Sequence, residues 1–520
     1  MNIYASILNQ NIDKLLSIYN SDTSSNTYGF GDREFWAWKT KDFTNATLQG
    51  GVHSLSIALK LNLFKDEQEG HILEMINASI HAIGSIMDSN GSVVEAYPRE
   101  NSFCVTALVA FDALSAIRHL GHLLSTSQKE AHLLTIAPLI NFISNNGEEH
   151  AIISNHLATG VAAIVLWNDL TNSANNRDKE LLDIIYQHQS DEGWYREYEG
   201  ADPGYQTLCT YYLSCAYEIT RDEQLLSSIK KSAAFLKQFI HPDGTIGGLY
   251  GSRNTEVYYP GGIISLANEI SDFALIAKKL TPSNQHVLPQ NIDIGNYIPL
   301  LNSYAVAALH AEASQTAINS VTEEPFYKGE GNKTFPETGI HLHSSKKYFA
   351  IVNFKKGGTL KVFDKTTNTI DLEDGGIFGE LNNGEKFSTQ QFDHNISFKD
   401  FSLKSSFYKI NESSPNPISF IILRTLALTI FRSVSLGNMF KKFIVNMLMT
   451  GKNKLKGHAI RSFNFLDEKI IISEHIIHPV KCKKITHPGK CKAIHMASSG
   501  YFLEQNFNNN RSKLVEFKDV

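Results

Sequence analysis

A chain of 520 residues is too long for one ordinary hydrophobic core, so two or three domains are expected. With 48 Lys and Arg against 53 Asp and Glu, the net charge of -5 gives no electrostatic case for a nucleic-acid partner, and an acidic polymer would have to be held by local Arg, Lys and amide groups. Hydrophobic residues at 42% and charged residues at 19% match an ordinary soluble protein, while Cys104, Cys209, Cys215, Cys482 and Cys491 suit reduced cytosolic thiols better than a disulfide framework.

The first segment, MNIYASILNQNIDKLLSIYN, has no basic start followed by an apolar run, so no secretory signal and a cytoplasmic location are expected. From residue 1 to about 320 apolar residues recur at helical spacing, as in LSIALKLNLF, VTALVAFDALSAIRHLGHLL, GVAAIVLWNDL and LCTYYLSCAYEI. A Gly-containing turn, a polar and aromatic stretch and an apolar helix follow one another around Gly31, Gly91, Gly147, Gly193 and Gly244. Spacings of 46 to 60 residues fit two helices plus loops, hence an internal repeat of helical hairpins. Closed on itself, such a repeat forms an α/α toroid over residues 1–320 with its Gly-containing loops at one end. An open helical solenoid would use the same repeat.

TPSNQHVLPQNIDIGN, residues 281–296, reads as a connection before one further helix. From about Val321 onward, short alternating runs of β-branched and aromatic residues are cut by GG and NNG turns, so residues 321–520 are expected to form an antiparallel β-sandwich. Within it, Ile418 to Met449 is strongly apolar, but Arg424, Arg432, Lys441 and Lys442 interrupt it before a membrane span of about 18 uncharged residues accumulates. A helical insertion packed on the sandwich is expected, with peripheral membrane contact or partner docking as the alternative. His478, Cys482, His487 and Cys491 match no zinc spacing well, and no metal or cofactor is expected.

The candidate chemistry lies between Asn145 and Tyr259. Eliminating across a uronate glycosidic bond requires three things: neutralising the carboxylate, removing the poorly acidic C5 proton, and protonating the leaving oxygen at C4. Amide, imidazole and guanidinium groups suit the first task, His or Tyr the second, and Tyr the third. Asn155 and His156 stand just before an apolar helix, where Asn155 could equally be a helix cap. Tyr205 follows a Pro-Gly turn in DPGYQTL, and GSRNTEVYYPGG supplies Arg253, suited to a bidentate hold on a carboxylate, with Tyr258 and Tyr259. Trp194 and Tyr195 are candidates for stacking on sugar rings, while Tyr97 and Arg99, with Asn101, Gln49 and His53, could complete subsites.

An Asn-His pair in one loop, DPGYQTL about 50 residues later, and a toroid followed by a β domain resemble the alginate lyase and heparinase II/III superfamily of polysaccharide lyases. The resemblance implies that Asn155 neutralises the uronate carboxylate, that His156 is neutraliser or base, and that Tyr205 is general acid and sometimes base. Arg253 with Tyr258 or Tyr259 then looks like the loop that grips the substrate. The family's β domain often adds a His from a Gly- and His-rich motif; here HLHSSKKYFAIVNFKKGG offers His341 or His343 outside that pattern. A uronosyl C5-epimerase of the same architecture shares the first step. A toroid glycoside hydrolase would use two of Glu95, Asp191, Glu192, Asp202 and Asp243, although Asp191 and Asp243 also suit the Gly turns they precede. A non-catalytic glycan-binding protein is the remaining reading.

Overall fold

The computed structural model describes residues 1–520 apart from 149–150, 395, 397, 411–413, 415, 446–452, 480, 487–488, 494–511 and 520. Residues 446–449 of the expected insertion, and His487, therefore lie outside the described residues. The helical half runs α1 (Ile3–Ser17), α2 (Arg33–Trp36), α3 (Val52–Lys60), α4 (Asp66–Ile86), α5 (Phe103–His119), α6 (Thr126–Asn145) and α7 (Ser154–Thr171). It continues through α8 (Arg177–His188), α9 (Pro203–Thr220), α10 (Glu223–Leu236), α11 (Gly261–Ser265), α12 (Ser271–Lys279) and α13 (Ile294–Ser320).

Side-chain polarity sorts these helices into two layers. In α5 nearly every residue from Phe103 to Ile117 is buried, whereas α8 buries only Leu181, Leu182 and Ile185. A helix apolar on all sides belongs inside, and one with a single apolar stripe belongs outside. Accordingly α3, α5, α7, α9, α11 and α13 pack side by side as an inner ring, with α4, α6, α8, α10 and α12 against its outer face. The ring closes where α13 meets both α1 and α3, so the repeat is a toroid and not an open solenoid.

The repeat is visible as one turn used several times. Gly91, Gly193 and Gly244 all have positive φ, and each backbone N–H donates to the carbonyl three residues earlier, that of Asp88, Ser190 and His241. Added side chains there would overlap Pro138, Lys231 and Asn284 respectively, so glycine is required twice over. In the first unit Gly29, not Gly31, has the positive φ, although its N–H donates to the Asn20 carbonyl, and Gly147 lacks the positive φ. Gln49 and Gln206 do equivalent work: each donates to the carbonyl of a turn glycine (Gly29, Gly193) and to an outer-helix carbonyl (Ser79, Ser232). Gln49 is thus a brace inside the repeat and not a subsite.

Two sheets follow. β1 (Gly331–Phe335), β2 (Ile340–Ser344), β3 (Tyr348–Asn353), β4 (Thr359–Asp364) and β5 (Thr369–Asp374) form an antiparallel meander. The second sheet holds β6 (Phe378–Leu381), β7 (Lys386–Ser388), β8 (Phe398–Lys399), β9 (Ser402–Lys409), β10 (Lys454–Phe465), β11 (Ile470–Ile477), β12 (Cys482–Thr486) and β13 (Val515–Asp519). Its order is β12-β6-β7-β9-β10-β11-β13 with β8 on β9, and the β11–β13 pair is parallel in an otherwise antiparallel sandwich. Strand β3, YFAIVN, is buried on both faces. Tyr348, Ala350 and Val352 pack with Leu403, Phe463 and Ile472 of the second sheet, while Phe349 and Ile351 join the core of the toroid. The first sheet is therefore a shared layer that fixes the β domain against the helical one.

Candidate active site

The loop before α7 pairs with the loop before α9. Ile153 bridges Glu197, Ser154 N–H donates to the Arg196 carbonyl at 3.0 Å, and Tyr198 N–H donates to the Ile152 carbonyl at 3.0 Å. This pairing seats the Glu197 carboxylate under the first turn of α7, where it accepts the Asn155 backbone N–H at 3.0 Å and the side-chain Nδ2–H at 2.8 Å. Ile153, not Asn155, occupies the cap position, so the Asn155 amide is oriented by Glu197 and not used as a cap. Burial raises the Glu197 carboxyl to about 7, with Arg253 and the Asn155 hydrogen bonds opposing the rise. His156, one residue on, is oriented through Nδ1 by Glu148 Oε2 at 2.6 Å.

Asp202 starts α9. Its Oδ1 accepts the Tyr205 N–H at 3.0 Å as the helix cap, and its Oδ2 accepts the Arg253 N–H at 2.8 Å, so one carboxylate fixes both segments. Gly204 and Gly251 allow this approach: a methyl on either would press on Thr255 or on Asp202 itself. The Arg253 guanidinium lies 3.8 Å from the centre of the Tyr205 ring and 5.2 Å from that of Tyr198, with Nη1 3.6 Å from Glu197 Oε2. Burial opposes its charge, but the fields of Tyr205, Tyr198, Glu197 and Asp202 outweigh that and keep it protonated. The Arg253 loop is held from the β domain. Lys356 Nζ donates to the carbonyls of Leu249 (2.8 Å) and Gly251 and to Asn254 Oδ1, Asn353 donates to the Tyr250 carbonyl, and Lys490 pairs with Glu256 at 2.6 Å. Burial lowers Lys356 to about 7, with Asp202 opposing.

Asn155, His156, Tyr205 and Arg253 are thus linked through Glu197, Asp202 and paired loops. The other expected residues divide. Tyr259 lies within electrostatic reach of Tyr205, Arg253 and Asp202, and its N–H donates to Thr207 Oγ1 at 3.0 Å. Tyr258, its neighbour in an extended segment, points the other way into the core beside Tyr4 and Tyr304, and its hydroxyl has no hydrogen-bond partner among the described residues. Tyr195 is wholly buried with its hydroxyl on Ser228 Oγ at 2.9 Å, so it offers no face to a sugar. Trp194 is also buried, its indole N–H on Glu192 Oε2 at 3.0 Å. Tyr97 packs against Phe431 at 5.7 Å, and Arg99, with positive φ, offers its carbonyl to Asn101. His341 and His343 share one face of β2 and pack on Phe465, hydrogen-bonded to Thr334 and Asn332, so their contacts stay within the β domain. Burial lowers His341 to about 4.

Three of the five carboxylates considered for hydrolysis have structural work. Glu192 accepts the N–H groups of Glu337 and Thr338 across the domain boundary, Asp202 caps α9, and Asp243 holds Thr245 in its turn. Glu197 and Glu148 were not singled out in the sequence, where REYEG and NNGEEH look like solvated loop acids. Burial opposite Asn155 and His156 is what distinguishes them. Among the described residues no group of three or more His, Cys, Asp or Glu could hold a metal ion.

A separate concavity of about 410 Å³ opens at the opposite end of the toroid, among the C-terminal turns of α3, α5 and α9 and the flank of α13. Its lining includes Lys60, Arg118, His119, Glu218, His310 and His53. His53 meets Asp112 at 3.0 Å and is wholly buried, so it belongs here and not with Asn155 and Tyr205.

No protein-family model and no curated protein matches the sequence. Solved structures do match. Paenibacillus xanthan lyase aligns at TM-score 0.52 and 9% identity over 90% of this chain and 44% of its own. Streptomyces coelicolor A3 chondroitin AC lyase, in complex with chondroitin sulphate, aligns at TM-score 0.51 and 9% identity over 90% of this chain and 66% of its own. The chain therefore spans less than two thirds of the length of either enzyme. Nine-tenths of it nonetheless has the toroid and β-sandwich fold that these polysaccharide lyases share.

Proposed function

We propose that this protein is a polysaccharide lyase that cleaves a uronic-acid-containing polysaccharide by β-elimination, in the manner of the heparinase II/III and alginate lyase group. One observation carries the reading: a guanidinium stacked on the Tyr205 ring beside an amide, Asn155, held at the N-terminus of an inner helix. The remaining amide hydrogen of Asn155 and the Arg253 charge suit a substrate carboxylate, which must be neutralised before the C5 proton can leave. His156, oriented by Glu148, is the group for proton removal. The C5–H electrons form the C4=C5 double bond, the C4–O bond breaks, and the Tyr205 hydroxyl proton passes to the leaving oxygen. A cation over its ring stabilises the phenolate left behind.

The acidic substrate, the cytoplasmic setting suggested by sparse cysteines, and peripheral membrane contact through residues 418–449 belong to the same reading. The fold shared with enzymes that act on xanthan and chondroitin supports a polymeric substrate. Purified protein is to be incubated with a panel of uronate polymers while the ultraviolet absorbance of the unsaturated uronate is followed. Rising absorbance that disappears in Tyr205→Phe supports the lyase. A flat trace with deuterium entering C5 from deuterated water would replace it with the epimerase.

A further inference from the structure

Between β9 and β10 the chain leaves the sandwich as a helical hairpin, α14 (Pro417–Leu428) and α15 (Val434–Val445). One side of the hairpin is anchored on the toroid. Arg424 pairs with Asp42 at 2.9 Å and lies over the Phe43 ring, Phe431 packs on Tyr97, and Asn101 donates to the Phe431 carbonyl at 3.4 Å. These toroid loops precede the inner helices α3 and α5, so the hairpin sits at the end that carries Asn155, Tyr205 and Arg253.

Among the described residues the other side is left exposed. Ile418 is 70% exposed, Ile421 67%, Leu428 65%, Met439 65% and Phe443 60%. Arg432 and Lys442 are exposed among them, and the sequence contains no Asp or Glu between Glu412 and Asp467, in a chain whose overall charge is negative. Each helix is 12 residues long, and among the described residues no helix is long and apolar enough to cross a membrane. Large apolar side chains mixed with cations and free of acids are the composition of a helix lying in a lipid headgroup region. A second copy is a poorer occupant, because a two-fold contact would set this cationic surface against itself.

We infer that the α14–α15 hairpin docks the protein on an anionic lipid surface and so holds the loop end of the toroid at headgroup level. Resting on the proposed lyase function, the substrate is then a uronate polymer presented at a membrane.

The test is flotation of the full chain with vesicles of phosphatidylcholine alone or mixed with phosphatidylglycerol. Two variants go with it, Ile421→Asp/Met439→Asp and Arg432→Glu/Lys442→Glu, all at exposed positions outside the anchor. Wild type is expected to float with the mixed vesicles, and each variant to lose about tenfold or more in binding, as does wild type in high salt. Unchanged melting temperatures and unchanged turnover of soluble oligosaccharide would show that the variants fold. Failure of wild type to float overturns the inference, as does equal binding to phosphatidylcholine alone. So does a concentration-dependent dimer that Ile421→Asp/Met439→Asp abolishes, or retention of the hairpin by a protein partner without vesicle binding. Turnover without flotation sinks the docking alone, and flotation without turnover on any uronate polymer sinks the lyase reading alone.

Discussion

The two ends of the toroid carry opposite chemistry, and helix polarity accounts for the difference. At the loop end, the N-termini of α7 and α9 meet the chain's own carboxylates, Glu197 and Asp202. At the far end, the last turns of α3 and α5 carry Lys60, Arg118 and His119. Each arrangement satisfies the partial charge of the helix ends it faces. The far end has an open concavity of about 410 Å³, yet its cations are explained by helix carbonyls and by pairs such as Arg118–Asp169. At the loop end the polar groups converge from three separate segments, and Arg253 is set on the Tyr205 ring, an arrangement that capping alone does not require.

Substitutions should separate the two ends. Tyr205→Phe should cut kcat/KM about a thousandfold, since it removes the proposed proton donor, while leaving the melting temperature nearly unchanged. Glu197→Ala should destabilise the protein by about 3–5 kcal/mol in chemical denaturation, because it leaves Arg253 and the Asn155 amide buried with a lost partner. Glu197→Gln should be milder and should also alter the pH response. The folded value of Glu197, about 7, lies above the ordinary 4.5, so the folded state holds a proton that the unfolded chain has released. Its stabilising contribution is complete below the unfolded value and fades as pH rises through about 7. Between about pH 5 and 8, wild type should therefore lose on the order of 3 kcal/mol relative to Glu197→Gln.

Lys356→Met tests whether the β domain positions the site. Removing donors to Leu249, Gly251 and Asn254 should cost about 2 kcal/mol and raise KM more than it lowers kcat, because the Arg253 loop loosens while Tyr205 stays on α9. Arg118→Ala at the far end should change stability by about 0.5 kcal/mol or less and leave turnover intact, since its pair with Asp169 is exposed. A large loss of activity in Arg118→Ala would move the chemistry to the other end.

Much of this organisation is legible in local pattern. Helical spacing, the recurring glycine turn and the later alternation of β-branched residues each depend on residues close in sequence, so the order of toroid and sandwich can be read without coordinates. The loops bearing Asn155, Tyr205 and Arg253 were legible for the same reason. Which neighbour faces which way was not. Tyr258 and Tyr259 are identical in type and adjacent, and only the path of residues 254–260 against α9 sends one into the core and the other toward Arg253. Trp194 and Tyr195 look like sugar platforms until tertiary packing buries them, Tyr195 against Ser228 of α10.

The sequence by itself determined the two-part fold, the repeat and the loops that hold the polar residues, because periodicity and turn chemistry are local. Only the tertiary structure decided that Glu197 holds Asn155, that Glu148 orients His156, that Lys356 reaches from the sandwich to the Arg253 loop, and that the α14–α15 hairpin rests on the toroid loops before α3 and α5. These depend on burial and on pairing between distant segments, for which a loop glutamate or a lysine in a strand connection carries no local mark.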